Sequence, residues 1–347
     1  MNVWIVSSDA EGAVTDNVRR KEREAVAMVD AMVETMKENG MDANVTGARA
    51  EKYETAKGEG DRWALHLGDC VDVTRDIAND SIGFSIFSPP FASLYTYSDS
   101  LRDMGNCGDT AEFMAHFRFL VAELFRVTMP GRSVSFHCMN MPTSKVRHGH
   151  IGIQDFRGDL IRVFEAAGFY YHSEVCIWKD PVTAMQRTKA LGLLHKTIRN
   201  DSSMSRQGIP DYLVTMRKPG DNAVPISHTR EEYPVDYWQK VASPIWMDIN
   251  PSDTLQYRSA RQEEDEKHIC PLQLTVIRRA LELWSGPDDL VLSPFAGIGS
   301  EGHVALSMGR RFVGAELKRS YWEQACLNLA AAEREAAQPT LFGDAQP

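Results

Sequence analysis

The sequence predicts an α/β fold, an open and mostly parallel sheet with helices on its faces. Three observations carry that expectation. From Trp63 onward, short apolar strands alternate with longer stretches of helical periodicity. A glycine-rich segment, Gly297-Ile298-Gly299-Ser300-Glu301-Gly302, stands between one such strand and one such helix. The run from Asp80 to Phe87 reads as a buried strand of a parallel sheet and stops abruptly at Ser88-Pro89-Pro90-Phe91. Two consecutive prolines forbid both a further ladder and a helix start, so the chain leaves the sheet in a stiff extended turn. That turn presents one hydroxyl, the Pro89 carbonyl and one aromatic face, the groups needed to grip a flat heterocycle carrying an amino group.

The totals bound what this fold can do. A chain of 347 residues accommodates one large α/β domain with an insertion, or two domains. Its 43% apolar and 25% charged residues are ordinary for a soluble globular protein. No apolar run approaches the ~18–20 residues of a membrane span, and Met1-Asn2-Val3-Trp4 lacks a basic leader, so a cytoplasmic location is expected. The six cysteines (70, 107, 138, 176, 270 and 326) include no Cys-x-x-Cys pair, which argues against zinc and against a disulfide framework. A net charge of −10 weighs against nucleic acid as partner unless a local basic face outweighs it.

Taken in order, Asp16 or Asn17 caps a helix to about residue 39, with Val18, Ala25, Val29, Met32, Val33 and Met36 on one stripe. A packing or homodimer face is the first reading of that stripe, a DNA-clamping arm the second. Residues 41–60 read as a loose linker. Trp63 to Cys70 reads as the first core strand, ending in Gly68-Asp69; an acid there either binds a ligand or caps the helix that follows at 71–78. After the proline turn, residues 91–109 form a polar and aromatic loop long enough to be a lid. A helix over 110–129, a Pro130-Gly131 turn, a strand over 133–138, a helix over 156–167 and strands over 170–178 and 211–217 continue the pattern. His148-Gly149-His150 has no third ligand at suitable spacing and reads as surface histidines.

Residues 181–230 carry eight Lys or Arg against three Asp or Glu. Arg187, Lys189, Lys196, Arg199 and Arg206 stand there in a Ser/Thr/Gln-rich setting that suits either phosphate contacts or a solvated loop. Residues 219–266 have scattered aromatics and weak periodicity, as in a small module inserted into the main domain. Regular structure resumes with a helix over 271–284, Pro271 in its first turn, and a strand over 289–293. The glycine segment, a helix through 308, a strand over 311–316 and a helix over 320–337 close the fold.

Gly297-x-Gly299-x-x-Gly302 has the glycine spacing of a nucleotide-cofactor loop, and Glu316 lies 19 residues past Gly297 at the end of the next strand. An acid there accepts hydrogen bonds from ribose hydroxyls. The spacing alone does not separate NAD from S-adenosylmethionine.

Together, Ser-Pro-Pro-Phe upstream and Pro294-Phe295-Ala296-Gly297-Ile298-Gly299 downstream resemble the amino-directed DNA methyltransferases of the β arrangement. His268-Ile269-Cys270-Pro271-Leu272-Gln273-Leu274 and the Arg310–Gly314 approach to Glu316 add to the likeness, which extends from about residue 63 to 329. The resemblance implies a Rossmann-like methyltransferase sheet with one antiparallel strand, its catalytic half (61–218) preceding its cofactor half (267–337). Residues 1–60 would be a helical extension with its linker, 219–266 the target-recognition insertion and 338–347 a tail. It implies catalysis at Ser88, Pro89, Pro90 and Phe91, and S-adenosylmethionine held by Pro294, Phe295, Ala296, Gly297, Gly299 and Glu316 with His268 and Asp69 nearby. Double-stranded DNA would be the substrate, its phosphates met by the basic segment. In that family serine at the first motif position goes mainly with cytosine N4, and Asp or Asn with adenine N6. The family often has Asp where this chain has Ser293, and Ser or Thr where it has Ser300-Glu301. The tail Gln338-Pro339-Thr340-Leu341-Phe342 resembles peptides that dock bacterial sliding clamps. Two other classes, an NAD-dependent oxidoreductase and a catalytically silent DNA-binding module, leave the Ser-Pro-Pro-Phe corner or the pair of intact motifs unexplained.

Overall fold

The computed structural model describes residues 54–90, 104, 107, 109–182, 194–195, 199, 201, 205–256 and 271–338. The expected N-terminal helix at 17–39, Phe91, His268, Arg187, Lys189, Lys196 and the tail beyond Gln338 lie outside them. The chain divides into two compact units, 1–54 with 90–117 and 55–89 with 118–347. In the first, the described residues include Asp109, whose carboxylate accepts from Glu112 N at 2.9 Å, and the stacked rings of Phe113 and Phe117.

The second unit holds the sheet. Strands β1 (Ala56–Glu59) and β2 (Trp63–Leu67) form an antiparallel pair with Ala56 opposite Leu67. The expected linker therefore ends in an edge strand. Ala-Lys-Gly-Glu carries no apolar alternation; what makes it a strand is backbone pairing and Gly58, where a Cβ would meet Cys326 Sγ at 2.5 Å. Helix α1 (Cys70–Arg75) starts under an Asp69 cap, and β3 (Ile82–Phe87) is buried along its whole length. Helix α2 (Thr110–Val127) leads into β4 (Thr128–Met139). The expected turn at Pro130-Gly131 instead lies inside β4, as an irregularity that Gly131 permits at φ +71°.

A small hairpin, β5 (Met141–Thr143) and β6 (Gly152–Gln154), encloses the short helix α3 (Lys145–His148). Helix α4 (Phe156–Ala166) is capped by Asp155 and precedes β7 (Tyr170–Ile177) and β8 (Asp211–Arg217). In 219–256, helix α5 (Val235–Val241) and the two-residue strand β9 (Ile245–Trp246) build this segment into the main core. β9 pairs with β7, and Trp246 is buried beneath the Arg279 guanidinium, which Asp248 grips with both oxygens.

Helix α6 (Leu274–Trp284) begins three residues later than the sequence suggests, because Gln273 is its cap and Asp253 accepts from Thr275 N at 2.9 Å. Strand β10 (Leu290–Ser293), helix α7 (Ser300–Ser307), β11 (Arg311–Glu316) and helix α8 (Arg319–Ala337) complete the unit.

The sheet order is β1-β2-β11-β10-β3-β4-β8-β7-β9. The five strands from β2 to β4 in that order are parallel; β8 runs against them, and so does β1 at the edge. One antiparallel strand was expected and two are present among the described residues, the second being the edge strand taken for linker. From β3 the chain moves outward to β4, and from β10 it moves outward the other way to β11. The seam between β3 and β10 is therefore a topological switch point, where open α/β sheets leave a crevice beyond their carboxyl ends. Among the described residues no helix is long and apolar enough to cross a membrane.

Candidate active site

Both sequence motifs open onto that seam. β10 pairs with β3 through Val291–Phe84 and Leu292–Ser85, so the two strands deliver Ser293-Pro294-Phe295 and Phe87-Ser88-Pro89 side by side. The rings of Phe87 and Phe295 touch, centroids 5.8 Å apart. Ser88 is half-buried and Pro89 buried.

On its other side Ser88 faces β4. The Phe87–Phe136 pairing puts His137 one residue further along, and its Nδ1 lies 3.0 Å from Ser88 Oγ. Its Nε2 lies 3.1 Å from Oδ2 of Asp211, the first residue of β8, with the N–H direction turned off the oxygen. Lys179 Nζ approaches the same oxygen at 2.5 Å. Asp211 is 3% exposed. Burial alone would push its pKa up, but His137 and Lys179 beside it hold the carboxyl below the usual range. Sequence reasoning missed His137, Asp211 and Lys179. The available signal was a histidine in an otherwise apolar strand and an acid directly after Pro210 at the start of another.

The three glycines of the loop after β10 serve different ends. Gly297 has φ +53°, and a Cβ there would meet nothing within 4 Å, so its outer face is open. Gly299, at φ +84°, caps α7 and would bring a Cβ within 3.2 Å of Ala325 Cβ. Gly302 is a packing residue, since a Cβ would reach Leu329 at 2.5 Å. Glu316 fixes the loop: its two carboxylate oxygens accept from Gly297 N and Lys318 N, each at 2.8 Å. Ala296 N donates to Ala315 O at 2.9 Å, and Pro294 is buried.

Asp69 spends Oδ1 on the α1 cap, accepting from Val71 N and Asp72 N. It stands beside the Glu316 strand end, because Gly68 N donates to Glu316 O at 2.9 Å. Glu301 is buried in the first turn of α7; burial first, and the Glu316 charge second, raise its pKa to about 8. The Ser293 and Ser300 hydroxyls are buried with no partner among the described residues. Arg199 is exposed. Arg206 departs from the expectation of a solvent-facing cation: it is 8% exposed and donates to the Gln207 carbonyl at 2.8 Å. Desolvation lowers its pKa.

These residues fit an adenosine-containing cofactor. Gly297 leaves its backbone open to close approach, Glu316 is a carboxylate held at the strand end, Phe295 offers an aromatic face, and two buried hydroxyls lack partners.

Comparison with known proteins agrees. Residues 82–326 match the sequence profile of the DNA methylase family. The type II methyltransferase M.BglII of Bacillus subtilis is 23% identical over 262 residues, covering 74% of this chain and 66% of that protein, just under two thirds of its length. A DNA modification methylase of Thermus thermophilus, TTHA0409, solved with S-adenosyl-L-methionine, superposes with a TM-score of 0.56 at 22% identity over 78% of this chain and 96% of its own. The cytosine-N4-specific PvuII DNA methyltransferase superposes with a TM-score of 0.55 at 14% identity over 84% and 92%. The profile match spans both motifs and every strand from β3 to β11, and on that ground the chain belongs to the DNA methylase family of N6/N4 methyltransferases.

Proposed function

We propose that this chain transfers a methyl group from S-adenosylmethionine to the exocyclic amine of a base flipped out of double-stranded DNA, with cytosine N4 as the target. The observation that carries the reading is the seam itself: Ser88 at the end of β3 and the open Gly297 loop at the end of β10, bridged by Phe87 and Phe295.

When bound, the cofactor supplies an electrophilic methyl group on a sulfonium. An exocyclic amine is a poor nucleophile, because its lone pair is delocalised into the ring. Ser88 Oγ and the Pro89 carbonyl each accept one amine hydrogen bond, which localises the lone pair toward the methyl. Phe91 stacks on the base, a contact worth ~1–3 kcal/mol. Alignment of the two reactants does the rest, by in-line displacement without a covalent enzyme intermediate. A paired base cannot enter such a crevice, so flipping it out costs a few kcal/mol. Phosphate contacts from 181–230, with Lys196 and the exposed Arg199 among them, offset that cost. Residues 219–266 supply target recognition, and the 338–342 tail a sliding-clamp contact supported by its resemblance alone.

Adenine N6 is the second reading, and serine at position 88 is the feature that ranks it second. The test is to modify DNA with the protein, digest it to nucleosides and weigh them. N4-methylcytosine is the expected product. N6-methyladenine would overturn the base assignment, and unmodified nucleosides the activity.

A further inference from the structure

We propose that His137 is the proton outlet of this site, taking the Ser88 hydroxyl proton at Nδ1 as Ser88 Oγ takes a proton from the methylated amine. The inference rests on the amine-transfer reading above. An amine that gains a methyl group becomes cationic and must shed a proton. Neither group placed against it is a base by itself: a serine hydroxyl is a weak acceptor and the Pro89 carbonyl holds no proton. Ser88 needs an acceptor behind it, and His137 Nδ1 stands there at 3.0 Å.

The rest of the cluster orients that acceptor. A carboxylate accepts only, so an ionised Asp211 at 3.1 Å from Nε2 selects the tautomer with its proton on Nε2. Nδ1 then offers a lone pair, the Ser88 hydroxyl donates to it, and the Ser88 lone pairs turn toward the crevice. Lys179, 2.5 Å from Asp211, keeps the carboxylate ionised inside the fold. Nε2 and Oδ2 are within hydrogen-bond distance although the N–H is not aimed at the oxygen, and such bonds often tighten when the substrate binds. Among the described residues, Asp211 from β8 and Lys179 after β7 are the charged groups paired on this face. Cys138, Tyr212 and the Arg157–Glu174 pair belong to the alternate positions of β4, β8 and β7 and to α4.

The protons and electrons balance. As the amine nitrogen bonds the methyl carbon, the carbon–sulfur pair stays on sulfur. The N–H pair returns to nitrogen while its proton moves to Ser88 Oγ, and the former Ser88 proton moves to His137 Nδ1. Serine is regenerated as a hydroxyl, and the imidazolium, its side chain 12% exposed, loses its proton to water. His137 acts through Ser88 and is a positioning and relay residue.

The test follows methyl incorporation from S-adenosylmethionine into unmethylated phage λ DNA across pH, for the unmodified protein and for His137→Gln. The expected result is a one-proton acid limb in kcat for the unmodified protein. The variant should lose that limb and 10²–10³-fold in kcat, while its dissociation constant for S-adenosylhomocysteine stays within threefold. A limb that persists in His137→Gln, a kcat loss under fivefold, or a parallel loss of cofactor binding would overturn the relay. Failure of the unmodified protein to methylate any DNA would instead overturn the transfer reading. Independently of activity and of any variant, ¹⁵N chemical shifts of the neutral His137 ring should show Nδ1 unprotonated. A proton on Nδ1 would overturn the proposal.

Discussion

Phe87, the last residue of the central strand, and Phe295, in the loop after β10, pack ring against ring at 54°. Phe87 is fully buried and Phe295 half-buried, so one contact ties the proline corner into the core while leaving part of the second ring exposed. Phe87→Ala should therefore cost about 3–5 kcal/mol in urea unfolding. Phe295→Ala should cost less and weaken cofactor binding more. Equal stability losses with unchanged cofactor affinity would make Phe295 a plain core residue.

Gly297 and Gly302 separate binding from packing. Gly297→Ala should strain the backbone by about 1–2 kcal/mol and put a methyl group on the open face, weakening S-adenosylhomocysteine at least tenfold by calorimetry. Gly302→Ala should push into Leu329 and Phe312, lowering stability by about 1–3 kcal/mol.

Glu316→Ala releases the Gly297 and Lys318 amides together. Cofactor affinity should fall at least tenfold, with DNA affinity in a gel-shift assay unchanged. An unaltered cofactor dissociation constant would remove Glu316 from the site.

Ser88→Ala should lower turnover about 10²-fold or more and leave the cofactor dissociation constant within twofold. Equal loss of both would show that Ser88 serves the cofactor rather than the amine.

Glu301 gives the fold a pH signature. Its carboxyl is raised to about 8 by burial and the Glu316 charge, against about 4.3 in an unfolded chain. Between those values the native state holds a proton that the unfolded state has released, so stability falls as pH rises from about 4 to 8. Glu301→Gln should flatten that slope: little difference near pH 4, and a gain of a few kcal/mol near pH 8, read from urea midpoints.

Much of this was legible in the residues. Ser88-Pro89-Pro90 ends a strand because proline cannot continue a ladder, and the glycine spacing located the second loop for reasons equally local. What stayed hidden depends on pairing across the sheet. His137 and Asp211 meet because β4 and β8 run antiparallel in one register, which no short-range pattern encodes. The edge strand at Ala56–Glu59 has no apolar alternation and exists through its partner. Arg206 read as a phosphate contact or a solvated side chain because its neighbours are polar, yet it is buried.

The last helix and the first core strand are close neighbours: Glu333 Oε1 accepts from Arg62 N at 2.7 Å. A linker running from residue 338 back along β1 to residue 56, which pairs with Leu67 at the far end of that hairpin, would join the two, with new ends opened between 256 and 271. Such a rewired chain, reading cofactor loop first and proline corner second, would assemble the same crevice. For this architecture, which motif the ribosome makes first is a matter of history, and the chemistry is indifferent to it.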